Sequence, residues 1–114
     1  MTFTYAGIWE ASAQWLEEHA AQVQIVDVRE SDEFSGALGH IDGAIHIPLG
    51  ELKRRTMELD KDRPTVAVCR SGARSAQAVL ILEQSGFSKV ANLAGGMIRW
   101  RGQRMPVHGG GADI

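Results

Sequence analysis

The sequence holds a single cysteine, Cys69, among 114 residues. One thiol excludes an intramolecular disulfide, a CxxC redox pair and any multi-cysteine zinc site. No apolar run is long enough to cross a bilayer. The stretch from Met1 to Tyr5 lacks the basic start and apolar core of a signal peptide, so a cytoplasmic protein with its thiol kept reduced is expected. Charge of neither sign dominates: 12 Lys and Arg against 14 Asp and Glu leave a formal net charge of -2. That balance gives nucleic acid or an anionic membrane no purchase. No internal repeat and no second domain is visible, and the length suits one domain with a real core.

What is present reads as strands alternating with helices. Residues 1–10 are a mixed lead-in with Phe3, Tyr5, Ile8 and Trp9, including a short strand. Helical spacing of Ala11, Trp15 and Leu16 predicts a helix over 11–20, with Ser12 as a candidate cap and Trp15 as a core residue. The β-branched run 23–28 predicts a buried strand. A turn at Arg29 follows, then a brief helix over 32–34 with Ser31 as its candidate cap. After a glycine-bearing loop, 44–47 is a short strand stopped by Pro48. Residues 49–59 carry Leu49, Leu52, Thr56 and Leu59 at helical spacing, with Lys53, Arg54 and Arg55 on the solvated face. A strand then leads into Cys69, and 73–84 is apolar nearly all round, as for a helix packed on a sheet, with Gly86 placed to end it. A strand over 89–93 and a helix over 97–102, carrying Trp100 as a core residue, complete the pattern. The domain is set at 1–107; the glycine-rich 108–114 has nothing to bury and is expected to be a flexible tail. Strands separated by helices imply parallel pairing, with ligands held beyond the carboxyl ends of the strands. In such a sheet Arg29 and Cys69 lie on the same edge.

The chain is organised around Cys69-Arg70-Ser71-Gly72-Ala73-Arg74-Ser75. An apolar strand ends at the thiol, and a tight loop passes directly into a helix. Inward-pointing amides and the positive end of the helix dipole stabilise an anion at the centre of such a loop. Arg70 and Arg74 add charge of the same sign. A thiol held there ionises more easily than a free cysteine, because the thiolate gains partners and the neutral form does not. A lone cysteine is ordinarily a buried, inert residue; two arginines and a glycine directly after this one argue the other way. Gly72 suits a close backbone approach or a positive φ.

Four stretches in order resemble the rhodanese family of single-domain thiosulfate or persulfide sulfurtransferases. They are Ile25-Val-Asp-Val-Arg-Glu30 with Glu33-Phe34, Gly39-His-Ile-Asp-Gly-Ala44 with Ile47-Pro-Leu49, the Cys69–Ser75 loop, and Leu93-Ala-Gly-Gly-Met97 with Trp100 and Pro106-Val107. The spacer between Phe34 and Gly39 is slightly longer than in the commonest members. The resemblance implies an α/β, rhodanese-like three-layer domain, with a central mainly parallel sheet and helices on both faces. It implies that Cys69 is the nucleophile and sulfur carrier. The amides of Arg70, Ser71, Gly72, Ala73, Arg74 and Ser75 would cradle the terminal sulfur, and Arg70 and Arg74 would hold an anionic donor. It implies no cofactor and no metal. The partners implied are a small anionic sulfur donor (thiosulfate or a persulfide), a thiol or cyanide acceptor, and a sulfur-relay protein.

Asp27 and Arg29 are candidates to line the site from behind, or to form a structural bond between a strand end and a neighbouring loop. His19, His40, His46 and His108 make no metal motif by spacing and read as structural or surface residues. Two other functions fit the scaffold. Cysteine phosphatases and arsenate reductases use a cysteine–arginine loop with five residues between the two, whereas four separate Cys69 from Arg74. The shorter ring is cramped for a phosphate, and no aspartic acid in the loop protonates a leaving group. The other alternative is a non-catalytic binding module, but such modules usually lack the cysteine or the charge of the loop.

Overall fold

The computed structural model describes residues 2–3 and 7–111. Tyr5 of the lead-in and the last three residues of the expected tail lie outside the described residues. Six strands form one sheet: β1 (Thr2–Phe3), β2 (Trp9–Ala11), β3 (Gln24–Asp27), β4 (Ile45–His46), β5 (Thr65–Val68) and β6 (Val90–Leu93). Their order is β1-β2-β6-β5-β3-β4. Only β1–β2 is antiparallel; every other pairing is parallel. The helices are α1 (Ala13–His19), α2 (Ser31–Phe34), α3 (Leu49–Leu52), α4 (Ala73–Gln84) and α5 (Gly96–Gly102), with single 3-10 turns at Ala20–Gln22 and Thr56–Glu58. This is the α/β architecture expected: a mainly parallel sheet with a helical layer on each face. Among the described residues, no helix is long and apolar enough to cross a membrane.

The period of two along each strand divides the core. Val26 and Val28, Ala67 and Cys69, and Val90 pack with Leu52, Ala78, Val79 and Leu82 on the face of α3 and α4. Ile25, Val66, Val68, Ala91 and Leu93 face the other way, against Leu16, Met97 and Trp100 of α1 and α5. By the same alternation Asn92, between Ala91 and Leu93, is turned toward α4. β3 and β5 are neighbours, with Asp27 opposite Val68. Arg29 and Cys69 therefore leave the sheet at the same edge.

Several boundaries differ from those the sequence predicts. Ala11 belongs to β2, and α1 starts only at Ala13 because the Ser12 hydroxyl caps it, accepting from the Trp15 amide at 3.0 Å. Trp15 is half-buried and stacked on His19 at 4.2 Å, beside an apolar cavity of about 300 Å3 at the far end of the sheet. The cap of α2 is Glu30, not Ser31: its side chain takes the Glu33 amide while the Glu33 carboxylate takes the Glu30 amide. The predicted helix over 49–59 is broken after Leu52. The second half carries Thr56 in the apolar stripe and keeps only Leu59 in the core, too little burial to hold a further helical turn. Arg55 is not simply solvated, since it bridges Glu51 at 2.9 Å and Glu58 at 2.7 Å. Residues 108–111, placed in the tail by the sequence, are paired with the body of the domain. His40 and His108 exchange backbone hydrogen bonds, and the Gly111 amide donates to Ala37 at 2.8 Å. Arg101 meets the carbonyls of Leu38 and Gly111, so 108–111 is held by backbone pairing without burying side chains.

Candidate active site

Cys69 is the first residue after β5, and α4 opens at Ala73, so the loop has only the turn Arg70-Ser71-Gly72 in which to reverse direction. Gly72 makes that possible at φ +111, where a side chain would be strained. The turn aims the Gly72 amide at the Cys69 sulfur, 3.0 Å away, and the first turn of α4 brings the Ser75 hydroxyl to 3.2 Å. The sulfur is buried. Burial alone pushes the thiol up. The Ser75 hydroxyl and the amides of Ser75, Gly72 and Ser71 outweigh it, and the net result lies below the ordinary cysteine value. A thiolate is thus stabilised by neutral donors more than by a neighbouring cation.

The loop is held from beneath by α5. Met97 and Ile98 donate their amides to the carbonyls of Cys69 and Arg70, at 2.9 and 3.0 Å. Gly96 lies so close that a Cβ there would stand 2.5 Å from the Arg70 carbonyl oxygen. The paired glycines of the Leu93–Met97 stretch thus serve the cysteine loop.

The two loop arginines part company. Arg74 is taken by Glu33 of α2, its two terminal guanidinium nitrogens donating one to each carboxylate oxygen, at 2.6 and 2.7 Å. The Arg74 hydrogen bonds hold the Glu33 carboxyl down at about 2, and Glu33 in turn raises Arg74. Arg70 is exposed and its side chain has no partner among the described residues. It borders a cleft of about 310 Å3 shared with Asp32, Glu33, Ala37 and Leu38. A third guanidinium was not foreseen: Arg99 of α5 is exposed, folds over Gly95 and borders a shallow groove with Ser71. Its place on the loop side of α5 depends on packing, which spacing does not reveal.

Asp27 and Arg29 form a buried pair, with Arg29 also bordering the cleft of Arg70. Arg29 is only 1% exposed, and its guanidinium grips the Asp27 carboxylate at 2.7–3.2 Å while donating to the carbonyls of Glu33 and Gly39. The pair staples the 33–39 loop, and with it Glu33, to the sheet edge beside the cysteine. Phe34 stacks between His40 at 3.9 Å and His46 at 4.5 Å, and both rings bond backbone carbonyls, of Phe34 and Arg29 respectively. Two further residues stand behind the loop. Asn92 contacts Ser75 and donates to the Gly72 carbonyl at 3.1 Å; Glu10 of β2, opposite Asn92 in the sheet, accepts from it at 3.3 Å. A polar residue inside the apolar run of β6 was the available signal, since buried amides require partners.

Comparison with known proteins fits this geometry. The chain is 42% identical over 82 residues to the uncharacterized protein YqhL of Bacillus subtilis, covering 72% of this chain and spanning 64% of that protein's length. It is 41% identical over 81 residues to the thiosulfate sulfurtransferase GlpE of Shewanella oneidensis, covering 71% of this chain and 78% of GlpE. Among solved structures, a rhodanese-related protein from Thermoplasma volcanium superposes with a TM-score of 0.80 at 32% identity, over 86% of this chain and 95% of its own. The model of the rhodanese-like domain matches residues 12–103, from the cap of α1 to the end of α5. With its cysteine loop, supporting glycines and strands β3 to β6 all inside that match, the chain belongs to the rhodanese-like domain family.

Proposed function

We propose that the protein is a sulfurtransferase that carries a sulfane sulfur on Cys69. The observation behind this reading is the setting of the sulfur, buried at the centre of a loop whose amides and Ser75 hydroxyl favour the thiolate. With thiosulfate as donor, the thiolate attacks the outer sulfur. The S–S bond of the donor breaks, its electron pair leaves with sulfite, and a Cys69 persulfide anion forms. Cyanide or a thiolate then attacks the terminal sulfur, and the pair returns to Sγ. Charge balances in both halves, and neither an oxidant nor a general base is required. A lowered thiol value serves both halves, first as attacker and then as leaving group. The relative named a thiosulfate sulfurtransferase supports thiosulfate as donor; a persulfide suits the same site, with a thiol or a sulfur-relay protein as acceptor.

Phosphatase chemistry is disfavoured on two counts. The ring is a residue short, and Glu33, the carboxylate against the loop, stays ionised down to about pH 2, so it supplies no proton to a leaving group at neutral pH. The test is intact-mass spectrometry. Reduced protein incubated with thiosulfate or a small-molecule persulfide should become heavier by one sulfur atom, then revert on adding cyanide as thiocyanate appears. Cys69→Ala should do neither while remaining folded. An unchanged mass in the folded wild type with both donors would favour a binding module instead.

A further inference from the structure

Asn92 is a buried amide in a strand otherwise made of Val, Ala and Leu. Its Nδ2 group lies 3.1 Å from the Gly72 carbonyl and 3.3 Å from a Glu10 carboxylate oxygen. Both partners only accept hydrogen bonds, so the nitrogen must face them and Oδ1 must face Ser75. The Ser75 oxygen therefore stands between two acceptors, Asn92 Oδ1 and Cys69 Sγ, within hydrogen-bonding reach of both. A hydroxyl has one proton to give.

We propose that Asn92 is a positioning residue that acts through Ser75, its carbonyl competing with the Cys69 sulfur for the single Ser75 hydroxyl proton. The hydroxyl is then a rotor with two settings. Beside the neutral thiol it donates to Asn92 and accepts from S–H. Beside the thiolate it turns to the sulfur, because a bond to an ionised acceptor is the stronger one. Once the negative charge has moved to the terminal sulfur of a persulfide, it turns back to Asn92. No covalent bond changes in the rotation. The thiolate gains the Ser75 bond only at the expense of Asn92, which limits its stabilisation; an over-stabilised thiolate is a poorer nucleophile. The inference rests on Cys69 as the reactive group.

The charged groups set around this sulfur are Arg70 in the loop, Arg74 on α4 with its partner Glu33 on α2, Asp27 at the end of β3 with Arg29 just beyond it, Arg99 on α5 beside Ser71, and Glu10 on β2 behind Asn92. The test leaves all of them in place. It is the pH profile of iodoacetamide alkylation of Cys69, the only thiol, in the wild type, Ser75→Ala, Asn92→Ala and the double variant. Ser75→Ala should move the profile to higher pH. Asn92→Ala should move it to lower pH by about half a unit to one unit, the scale of one neutral hydrogen bond. In the Ser75→Ala background the Asn92 change should have no effect. A role limited to bracing the Gly72 loop predicts an upward shift, the same in both backgrounds, and that result would overturn the proposal. Asn92→Leu, close in volume and without an acceptor, carries the same expectation where Asn92→Ala does not fold. The unmutated protein supplies a further check: the Asn92 side-chain amide resonance should titrate together with Cys69, and an amide indifferent to pH would also overturn it. Alkylation reads the thiolate directly, so the outcome stands whether or not sulfur is transferred.

Discussion

Replacing Glu33 by glutamine tests how the site distributes its charge. The carboxylate grips Arg74 through two bonds of 2.6 and 2.7 Å, and Gln keeps the shape, the acceptor for the Glu30 amide and one oxygen for Arg74. A carboxyl held from 4.5 down to about 2 corresponds to ~3.4 kcal/mol of unscreened stabilisation. The side chains of Arg74 and Glu33 are still 34% and 27% exposed, however. Solvent screening and side-chain entropy reduce such a pair to ~1 kcal/mol. For a domain of this size that is a loss of ~4–8 °C in Tm at neutral pH. The sign of the pH dependence follows from a folded-state value below the unfolded one. The contribution is complete above the ordinary carboxyl range and disappears as pH falls through about 2. Melting curves of wild type and Glu33→Gln should therefore lie apart by a constant amount from pH 7 to about pH 5 and converge below that. The same change frees Arg74 beside the thiol, so the apparent KM for thiosulfate should fall ~5-fold at low salt, the equivalent of ~1 kcal/mol. Identical melting at pH 7, or a gap that persists undiminished at pH 3, would refute the assignment of Glu33 as the counter-ion that occupies Arg74.

Arg70→Ala should slow the thiosulfate half-reaction ~5- to 10-fold at low salt and much less at high salt, as for an exposed, unpaired guanidinium; stopped-flow traces insensitive to the change at low salt would remove Arg70 from the donor site. Arg29→Met should cost ~3–5 kcal/mol in urea denaturation, because it leaves the Asp27 carboxylate buried without its partner, and an unmoved midpoint would contradict that role. Gly96→Ala should cost at least ~2 kcal/mol or prevent folding, since the added Cβ meets the Arg70 carbonyl at 2.5 Å; wild-type stability would show that α5 can back away from the loop.

What the sequence made legible is the local part of the structure. The strand into Cys69, the turn at Gly72 and α4 are coded by neighbours a few residues apart, and they fold where periodicity puts them. So does the side-by-side placement of the Arg29 and Cys69 strand ends, which follows once the connections are helical. The errors fall where propensity competes with tertiary demands. Residues 49–59 have the spacing of one helix, but Thr56 takes an apolar place in the second half and only Leu59 returns to the core, after a 3-10 turn. At the head of α2, Ser31 is the better cap by residue type. Glu30 takes the position because Glu33, three residues on, closes the box with it.

The site was legible in its cysteine loop and less so in its electrostatics. In sequence both loop arginines are able to face an anion, and Arg74, at the start of a helix, is also able to pair with a carboxylate elsewhere in the chain. Arg74 meets its carboxylate 41 residues away in the chain, and spacing alone does not locate such a partner. The consequence is chemical as well as structural. With Arg74 neutralised by Glu33, the thiolate is supported chiefly by amide and hydroxyl donors, which follow the sulfur without drawing a second anion to it. Arg70 and Arg99 have no ion-pair partner among the described residues and border separate clefts beside the loop, where the proposed function makes them agents of capture more than of chemistry. Under the proposed function, a donor anion is attracted at the mouth and meets a thiolate tuned by Gly72, Ser75 and, behind them, Asn92. Separating the two tasks in this way allows the charge of the rim to vary without detuning the sulfur beneath it.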